Sequence, residues 1–128
     1  MKDPKSIFVK PETSLLDTLR VIDESARQLA LVVDDSSRLL GTVTDGDIRR
    51  IVHRFGSVDH LKVLQVMTRN PKTIDREQLL ATAVRLMEAN PEGPITSLII
   101  VDGEGRPDGV LHLHDCLRLG IGTGARLA

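Results

Sequence analysis

The apolar and polar positions in the first part of the chain predict a strand followed by a helix. Ile7 to Val9 is a short apolar piece that we expect to be extended and to end at Pro11. Apolar residues then recur every three or four positions, which predicts a helix that is capped by Thr13 or Ser14 and ends near Ser25. The predicted buried stripe of this helix consists of Leu15, Leu16, Leu19 and Ile22.

Two further strands and a second helix complete the predicted unit. Leu29 to Val33 is an unbroken apolar run, which is typical of a strand covered on both faces. Asp34 to Ser37 supplies turn residues, and Leu39 to Thr44 is predicted to form the next strand. Asp45 or Asp47 then begins a helix. The predicted order is therefore strand, helix, strand, strand, helix.

The second half repeats this order. Five pairs of identical residues match at a single offset of 68 residues, which indicates two copies of one supersecondary unit. The pairs are Asp34 and Asp102, Arg38 and Arg106, Gly41 and Gly109, Asp47 and Asp115, and Arg50 and Arg118. The predicted elements are a strand at Thr73 and Ile74, a helix over 76–89, a strand from Ser97 to Val101, a turn at Gly103 and Gly105, a strand from Val110 to His112, and a helix through Leu117.

Two copies in 128 residues predict one α+β domain, because a chain of this size with 41% hydrophobic residues buries one modest core. We expect two β-α-β-β-α repeats related by pseudo-two-fold symmetry, with small sheets packed against helices and two equivalent clefts. The predicted bounds are 6–55 for the first repeat, 56–70 for a linker and 71–122 for the second repeat, within a single module over 1–128.

Composition argues against several classes of partner. Aromatic residues make up 2% of the chain, as Phe8 and Phe55, so side chains on which nucleic-acid bases stack are scarce. A formal net charge of −1 gives no basic footprint for a phosphate backbone. No apolar run approaches the roughly 18 residues of a membrane span, and the single cysteine, Cys116, favours a reducing compartment. We therefore expect a cytoplasmic protein with neither nucleic acid nor membrane as a partner.

The segment around Thr44 and Asp47 carries the strongest candidate chemistry. An ionised aspartate in the first turn of a helix is held by free backbone amides and can accept hydrogen bonds from both hydroxyls of a ribose. The same amides, with Thr44 at the strand end, favour an anionic ligand. We expect Asp47 to contact ribose and Thr44 to contact phosphate or base. The alternative is that these residues only cap a helix, which is worth about 1 kcal/mol.

The matched segment of the second copy contains histidine where the first contains threonine. His112, His114 and Asp115 suggest a metal site, but alternate residues of a strand point to opposite faces, so we predict no metal here. His112 is expected either to replace Thr44 as a polar contact to the ligand or to bond to backbone. The arginines after the caps either contact phosphate or are solvated. They are Arg49, Arg50 and Arg118.

The segments Gly41 to Asp47 and Gly109 to Asp115 resemble the ligand motif of cystathionine-β-synthase-type (CBS) domains, whose tandem pairs are called Bateman modules. The motif is a glycine, apolar strand residues, a threonine or serine, two further residues and an aspartate that begins a helix. The resemblance runs from about Ile7 to Ile121. It implies that the other wall of each cleft is formed by Ile7, Phe8, Leu29 and Ala30 in one copy, and by Thr73, Ile74, Ile95 and Thr96 in the other.

Three segments are together similar to the C-terminal CBS pair of arabinose-5-phosphate isomerases, enzymes of 3-deoxy-octulosonate (Kdo) biosynthesis. They are Val66 to Ile74, Ile95 to Leu98, and Gly109 to Asp115. This resemblance implies a regulatory module that binds a nucleotide or nucleotide-sugar, with AMP, ATP, CMP or CMP-Kdo as candidates, and a sugar isomerase domain as its partner. The isomerase domain itself is absent from these 128 residues. The first half also resembles the CBS pair that precedes some sugar-phosphate nucleotidyltransferases.

Two other functional classes are weighed against regulation. The sequence has no G-x-S-x-G nucleophile elbow and no phosphate-binding P-loop, and Cys116 falls where the first copy has apolar Ile48. We therefore expect no catalysis by this chain itself, no cofactor, and a buried, inert thiol. The remaining alternative is a purely structural dimerisation module with empty clefts. In either case, exposed apolar helix faces lead us to expect a homodimer.

Overall fold

The structure is a computed structural model that describes residues 3–25, 27–75, 78, 82, 85, 88 and 97–112. The chain divides into two compact units. One comprises Pro4–Pro71, and the other comprises Lys72–Ala128 together with Met1–Asp3. Both contain a small sheet, which confirms the predicted mixed α+β class.

The first unit is built on a four-stranded sheet in the order β1-β2-β3-β4. Strand β1 (Phe8–Val9) runs parallel to β2 (Leu29–Val33), as expected for strands joined through a helix. Antiparallel neighbours follow, first β3 (Leu39–Thr44) and then β4 (Thr68–Arg69). The predicted bounds of β2 and β3 are confirmed. The prediction for Ile7 was wrong, because a 3₁₀ turn over Pro4–Ile7 precedes β1.

Helix α1 (Leu15–Ser25) ends where the sequence predicted, and Ser14 caps it by accepting a hydrogen bond from the Asp17 backbone at 3.0 Å. The predicted stripe is wrong at one position. Leu16 is 41% exposed, whereas Thr18 is fully buried. Thr18 tolerates burial because its hydroxyl donates to the Ser14 carbonyl at 2.9 Å.

The core of the first unit lies between the sheet and its helices, which also include α2 (Asp45–Phe55) and α3 (Val63–Val66). All five residues of β2 are buried, which confirms the prediction of a strand covered on both faces. Most of the core comes from the first repeat, but α3 and the residue after it also contribute. The core cluster contains Val9, Leu15, Ile22, Ala30, Val32, Val43, Ile48, Val63 and Met67.

The segment between the repeats packs onto the first unit. The Leu15 N–H donates to the Leu61 carbonyl at 2.9 Å, and the Val63 N–H donates to the Thr13 carbonyl at 2.9 Å. Strand β4 then pairs with β3 next to Gly41. A Cβ at Gly41 would lie 2.7 Å from the Thr68 carbonyl oxygen, so this glycine allows β4 to approach closely.

The second unit contains a three-stranded sheet in the order β5-β6-β7. Strand β5 (Thr73–Asp75) is parallel to β6 (Ser97–Val101), and β6 is antiparallel to β7 (Pro107–His112). These strands confirm the predicted ones, although β7 begins three residues earlier than the sequence indicated. The predicted helix over 76–89 is described only at scattered positions, and the helix through Leu117 lies outside the described residues.

The turn between β2 and β3 is organised by one aspartate. Asp34 Oδ1 accepts hydrogen bonds from the backbone N–H groups of Ser36 at 2.8 Å and Arg38 at 2.9 Å. The Arg38 carbonyl in turn accepts from the Asp34 N–H at 3.0 Å. These bonds close the turn, and the Arg38 N–H, with that of Ser36, keeps the pKa of the Asp34 carboxyl below its ordinary value.

The turn between β6 and β7 repeats this arrangement. Asp102 Oδ1 accepts from the backbone N–H groups of Glu104 at 2.8 Å and Arg106 at 2.9 Å, and the Asp102 N–H donates to the Arg106 carbonyl at 3.0 Å. The pKa of Asp102 is likewise lowered, chiefly by the Arg106 N–H. The internal repeat read from the sequence is therefore reproduced bond by bond in the two hairpins.

Candidate ligand-binding site

The start of α2 brings Thr44 and Asp47 into direct contact. Thr44 is the last residue of β3 and has an extended backbone, so its hydroxyl faces the first turn of the helix. Thr44 Oγ1 accepts from the Asp47 N–H at 3.0 Å, and Asp47 Oδ2 accepts from the Thr44 N–H at 2.9 Å. The pair forms a capping box, so the capping role considered for these residues is present.

Asp47 has a second partner at its other carboxylate oxygen. Oδ1 forms an ion pair with the guanidinium group of Arg50, three residues further along the helix. The two side chains differ greatly in exposure, since Asp47 is 21% exposed and Arg50 is 73% exposed. One carboxylate oxygen is therefore held by backbone, and the other is paired with a largely exposed cation.

Gly46 leaves the first turn of α2 open to the side chains around it. A Cβ at this position would lie 3.6 Å from Nη1 of Arg50, 3.7 Å from Nη2 of Arg49 and 3.7 Å from Oγ1 of Thr44. Two guanidinium groups and a hydroxyl thus lie near Gly46 in the first turn of α2, where the Asp47 N–H already donates to Thr44 Oγ1. This combination of positive charge and hydrogen-bond donors can accommodate an anion.

Sequence reasoning identified Thr44, Asp47 and Arg50 but missed Gly46. The capping pattern does not require a glycine at this position, and glycine is unfavourable within a helix. The signal that could have found it is the combination of a glycine in the first turn with two arginines three and four residues later.

Two other candidates lie at the same end of the first sheet. Leu29 pairs with Thr44 across neighbouring strands, and Ala30 pairs with Val43. The Asp45 N–H donates to the Gln28 carbonyl at 3.1 Å, which ties the start of α2 to the start of β2. Leu29 and Ala30 are buried. The structure therefore brings Leu29 and Ala30 beside Thr44.

The remaining candidates of the first unit are Ile7 and Phe8. Ile7 is fully buried at the end of the 3₁₀ turn, while Phe8 is half-buried in β1. Phe8 pairs with Leu31 in the middle of β2, not with the residues at its start. Phe8 is thus paired two residues further along β2 than Leu29, which pairs with Thr44.

In the second unit, His112 occupies the position that Thr44 holds in the first. It ends β7 and pairs with Ser97, the first residue of β6. Thr73 is exposed in β5, and Ile74 beside it is buried. Four predicted site residues lie outside the described part of the chain. They are Ile95, Thr96, Asp115 and Arg118.

The described residues contain neither a metal-binding cluster nor a membrane-spanning helix. No group of three or more histidine, cysteine, aspartate or glutamate side chains in that part of the chain could hold a metal ion. His114 and Asp115 fall outside it, so the prediction of no metal there stays a prediction. None of the helices within the described ranges is both long enough and apolar enough to cross a membrane.

The family of the chain follows from comparison with known sequences. The sequence model of the CBS domain matches residues 2–54 and 63–122. The chain therefore belongs to the CBS domain family and contains two matches to it, as the internal repeat and the ligand motif implied.

Curated relatives give the same result. The chain is 38% identical over 109 residues to arabinose 5-phosphate isomerase KdsD of Pseudomonas aeruginosa. The matched region covers 85% of this chain and 32% of that protein. It is 37% identical over 113 residues to KdsD of Yersinia pestis, covering 88% of this chain and 33% of that protein. The chain thus spans about a third of the length of these relatives.

Solved structures confirm the fold. CBSX2 from Arabidopsis thaliana, in complex with AMP, has a TM-score of 0.74 and 27% identity, with 93% of this chain and 90% of that chain covered. A CBS domain-containing protein from Bacillus anthracis has a TM-score of 0.79 at 22% identity, with 93% and 87% covered. The second likeness bears on the fold alone.

Proposed function

We propose that this CBS pair is a regulatory module that binds a ribonucleotide at the start of α2. The observation that carries the proposal is the arrangement of Asp47, Thr44 and two arginines around the open first turn of that helix. The AMP complex of CBSX2 supports a nucleotide as the ligand class. Capping and binding are compatible, because a carboxylate oxygen has two lone pairs and can accept more than one hydrogen bond.

Each group has a role in the proposed complex. Asp47 accepts hydrogen bonds from the ribose hydroxyls, and Arg49 at the positive end of α2 receives the phosphate. Thr44 contacts phosphate or base through its hydroxyl. In the second repeat, His112 replaces Thr44, so we do not expect equal affinities at the two sites.

The proposed host is an arabinose-5-phosphate isomerase, in which this pair would be the sensor region and the catalytic groups would lie elsewhere. The KdsD relatives support that assignment over a nucleotidyltransferase host. CMP-Kdo, the activated form of the pathway sugar, is a candidate by feedback logic alone. Regulation would require the ligand to bind two conformational states with different affinity, typically by about 1 to 3 kcal/mol. The single cysteine favours cytoplasmic operation.

The test is thermal melting of the chain with AMP, ATP, CMP and CMP-Kdo. A ligand at about 100 times its dissociation constant stabilises the folded state by about 2.7 kcal/mol, which gives a clear rise in melting temperature. We expect the shift to be lost in Asp47→Ala. The matched control is Asp17→Ala on α1, where Asp17 also follows a capping residue by three positions and pairs with an arginine.

The control decides between binding and general destabilisation. A ligand shift that survives in Asp17→Ala but not in Asp47→Ala supports the proposed site. No shift with any of the four ligands in the unsubstituted chain rejects nucleotide binding and leaves the structural dimerisation module as the better account.

Self-association through helix faces is the second candidate function. Val52 and Phe55 lie three residues apart on α2 and are 43% and 64% exposed, and Leu16 on α1 is 41% exposed. Large exposed apolar side chains of this kind favour a protein partner. Sedimentation equilibrium at tens of micromolar tests the proposal, since a homodimer should dissociate in Phe55→Ser, and a monomeric unsubstituted chain would reject it.

A further inference from the structure

We propose that a second copy of this chain binds to the surface formed by α1 and α2 of the first unit, with α1 of each copy against α2 of the other. The two helices contact each other within the unit, and their exposed side chains carry opposite charge. The inference rests on the self-association proposed above, because it names the surface and the pairing of helices through which that association occurs. It does not depend on nucleotide binding.

The exposed face of α1 is acidic. Its exposed side chains are Leu16, Asp17, Arg20, Asp23 and Glu24. Asp17 and Arg20 pair with each other at 3.0 Å, whereas Asp23 and Glu24 form no ion pair within the described residues. Both acidic side chains lie near the C-terminal end of α1, where the helix dipole favours positive charge. This end of α1 therefore presents two carboxylates that a basic partner would neutralise.

The exposed side chains of α2 are basic or apolar. They are Arg49, Arg50, Val52, His53, Arg54 and Phe55. Arg50 pairs with Asp47, but Arg49 and Arg54 have no acidic partner in the part of the chain that the structure describes. The Arg54 guanidinium lies 5.5 Å from the centre of the Phe55 ring, so positive charge and apolar surface adjoin. This face suits a partner that combines carboxylates with apolar side chains.

Helix α1 of another copy has that combination. It offers the Asp23 and Glu24 carboxylates together with Leu16, a large apolar side chain that is exposed. On the facing helix, Val52 and Phe55 are also exposed. Apolar contact among these three side chains would supply attraction that does not depend on charge, and the charges would determine which helix faces which.

The charges favour α1 against α2 over each helix against its own copy. Pairing α1 with α1 would bring together the Asp23 and Glu24 carboxylates of both copies. Pairing α2 with α2 would bring together Arg49 and Arg54 of both copies. Like charges in contact oppose association, whereas α1 against α2 joins opposite charges, and a two-fold axis makes that contact twice.

The second repeat does not carry the same separation of charge. Its predicted helix over 76–89, which matches α1 in the repeat, has two basic and two acidic residues in the sequence. They are Arg76, Glu77, Arg85 and Glu88. The basic α2 is therefore complemented better by α1 of another copy than by this segment, so the first units of the two copies face each other.

The experiment measures the dissociation constant of the dimer by sedimentation equilibrium, without nucleotide, on the full chain and on three variants. One variant combines Asp23→Lys with Glu24→Lys, another combines Arg49→Glu with Arg54→Glu, and the third carries all four substitutions. Each two-residue variant places like charges in contact at both symmetric halves, so its dimer should be at least about tenfold weaker. The four-residue variant exchanges the charges of the two helices and should dimerise about as tightly as the unsubstituted chain.

Two further measurements keep the result interpretable. Lys72→Glu reverses an exposed charge on the second unit and should leave the dissociation constant unchanged. An equimolar mixture of the two two-residue variants should form a heterodimer, because each α1 then meets an α2 of opposite charge. The mixture decides the matter if circular dichroism shows that the four-residue variant does not fold.

The outcomes separate this pairing from self-association itself. If neither two-residue variant weakens the dimer, helices face their own copies or lie elsewhere, and the pairing is rejected while self-association stands. If both variants are monomeric and neither the mixture nor the folded four-residue variant dimerises, the pairing is rejected as well. A monomeric unsubstituted chain rejects self-association and this inference together.

Discussion

Ser37 and Gly105 occupy the same left-handed backbone position in the two hairpins, with φ angles of 64° and 81°. Each donates its N–H to the carbonyl of the aspartate three residues earlier, Ser37 to Asp34 at 2.9 Å and Gly105 to Asp102 at 3.2 Å. The repeat thus preserves a backbone conformation at a position where the side chains differ. Glycine adopts this conformation without strain, and serine does not.

Ser37→Gly should therefore stabilise the chain. Glycine removes about 1 kcal/mol of left-handed strain from the folded chain. It also makes the unfolded chain more flexible, which offsets about half of that gain and leaves the free energy of unfolding about 0.5 kcal/mol higher. Gly105→Ala should cost about 1 kcal/mol for the converse reason. Urea denaturation measures both, with Gly103→Ala as the control because the Gly103 backbone is not left-handed and a Cβ there meets nothing within 4 Å. Equal effects of all three substitutions would contradict the explanation.

The two turn aspartates predict a loss of stability in acid. Backbone N–H groups lower the pKa of Asp34 and Asp102 below the ordinary value of 3.8 in the folded chain. The stabilisation from these bonds is therefore complete above that ordinary value and is lost as the pH falls through the lower, folded pKa. Urea midpoints measured between about pH 5 and pH 2 should fall across this range.

Asparagine variants test that pH dependence. In the double variant Asp34→Asn and Asp102→Asn, the amide oxygens still accept the turn bonds but do not titrate. The urea midpoint should then fall less steeply in acid than in the unsubstituted chain. Asp59→Asn, at an exposed turn position, is the control and should follow the unsubstituted profile. Parallel acid profiles for the double variant and the unsubstituted chain would count against the two aspartates.

Gly41 and Gly46 should respond in opposite ways to alanine. A Cβ at Gly41 would lie 2.7 Å from the Thr68 carbonyl oxygen and 2.8 Å from Sδ of Met67, so Gly41→Ala should displace β4 at a cost of about 1 to 3 kcal/mol. At Gly46 the nearest atoms are 3.6 Å away and the residue is helical, so Gly46→Ala should stabilise by about 0.5 kcal/mol. Thermal melting of the two variants decides the point, and a neutral Gly41→Ala would show that β4 moves freely.

Adjacent residues of α3 provide a matched test of the packing of this segment. Val63 is fully buried in the core of the first unit, whereas Leu64 is 39% exposed. Val63→Ala should lower the free energy of unfolding by about 2 kcal/mol, and Leu64→Ala by less than about 0.5 kcal/mol. Denaturant titration at low protein concentration measures both without any contribution from self-association. If both variants unfold at the same denaturant concentration, α3 does not belong to the core.

Much of the fold could be predicted because its signals are local. The unbroken apolar run at β2 and the turn residues after it specify a hairpin without reference to the rest of the chain. Strand β4 could not be found this way, since Thr68 and Arg69 are both exposed and carry no apolar pattern. Leu16 misled the helix prediction because burial of Thr18 depends on a hydrogen bond to Ser14 that spacing does not reveal.

The sequence predicts which residues lie together at the candidate site, but not how their side chains are paired. The motif places Thr44, Asp47 and Arg50 near one another because their spacing suits the first turn of a helix. It does not show that the Asp47 carboxylate is already paired on both oxygens, because that depends on side-chain geometry. The side chains that lie around Gly46 could not be predicted either, because their positions also depend on side-chain geometry.

The repeated aspartate turns also have a consequence for how the chain acquires its structure. Each joins strands that are close in sequence, and such hairpins form within about 1 to 10 microseconds. The pairing of Thr42 with Thr68 closes a much longer loop, so we expect it to come later. Strand β3, which ends at Thr44, would thus pair with β2 early and with β4 later, so the candidate ligand-binding turn would gain its support from β2 first.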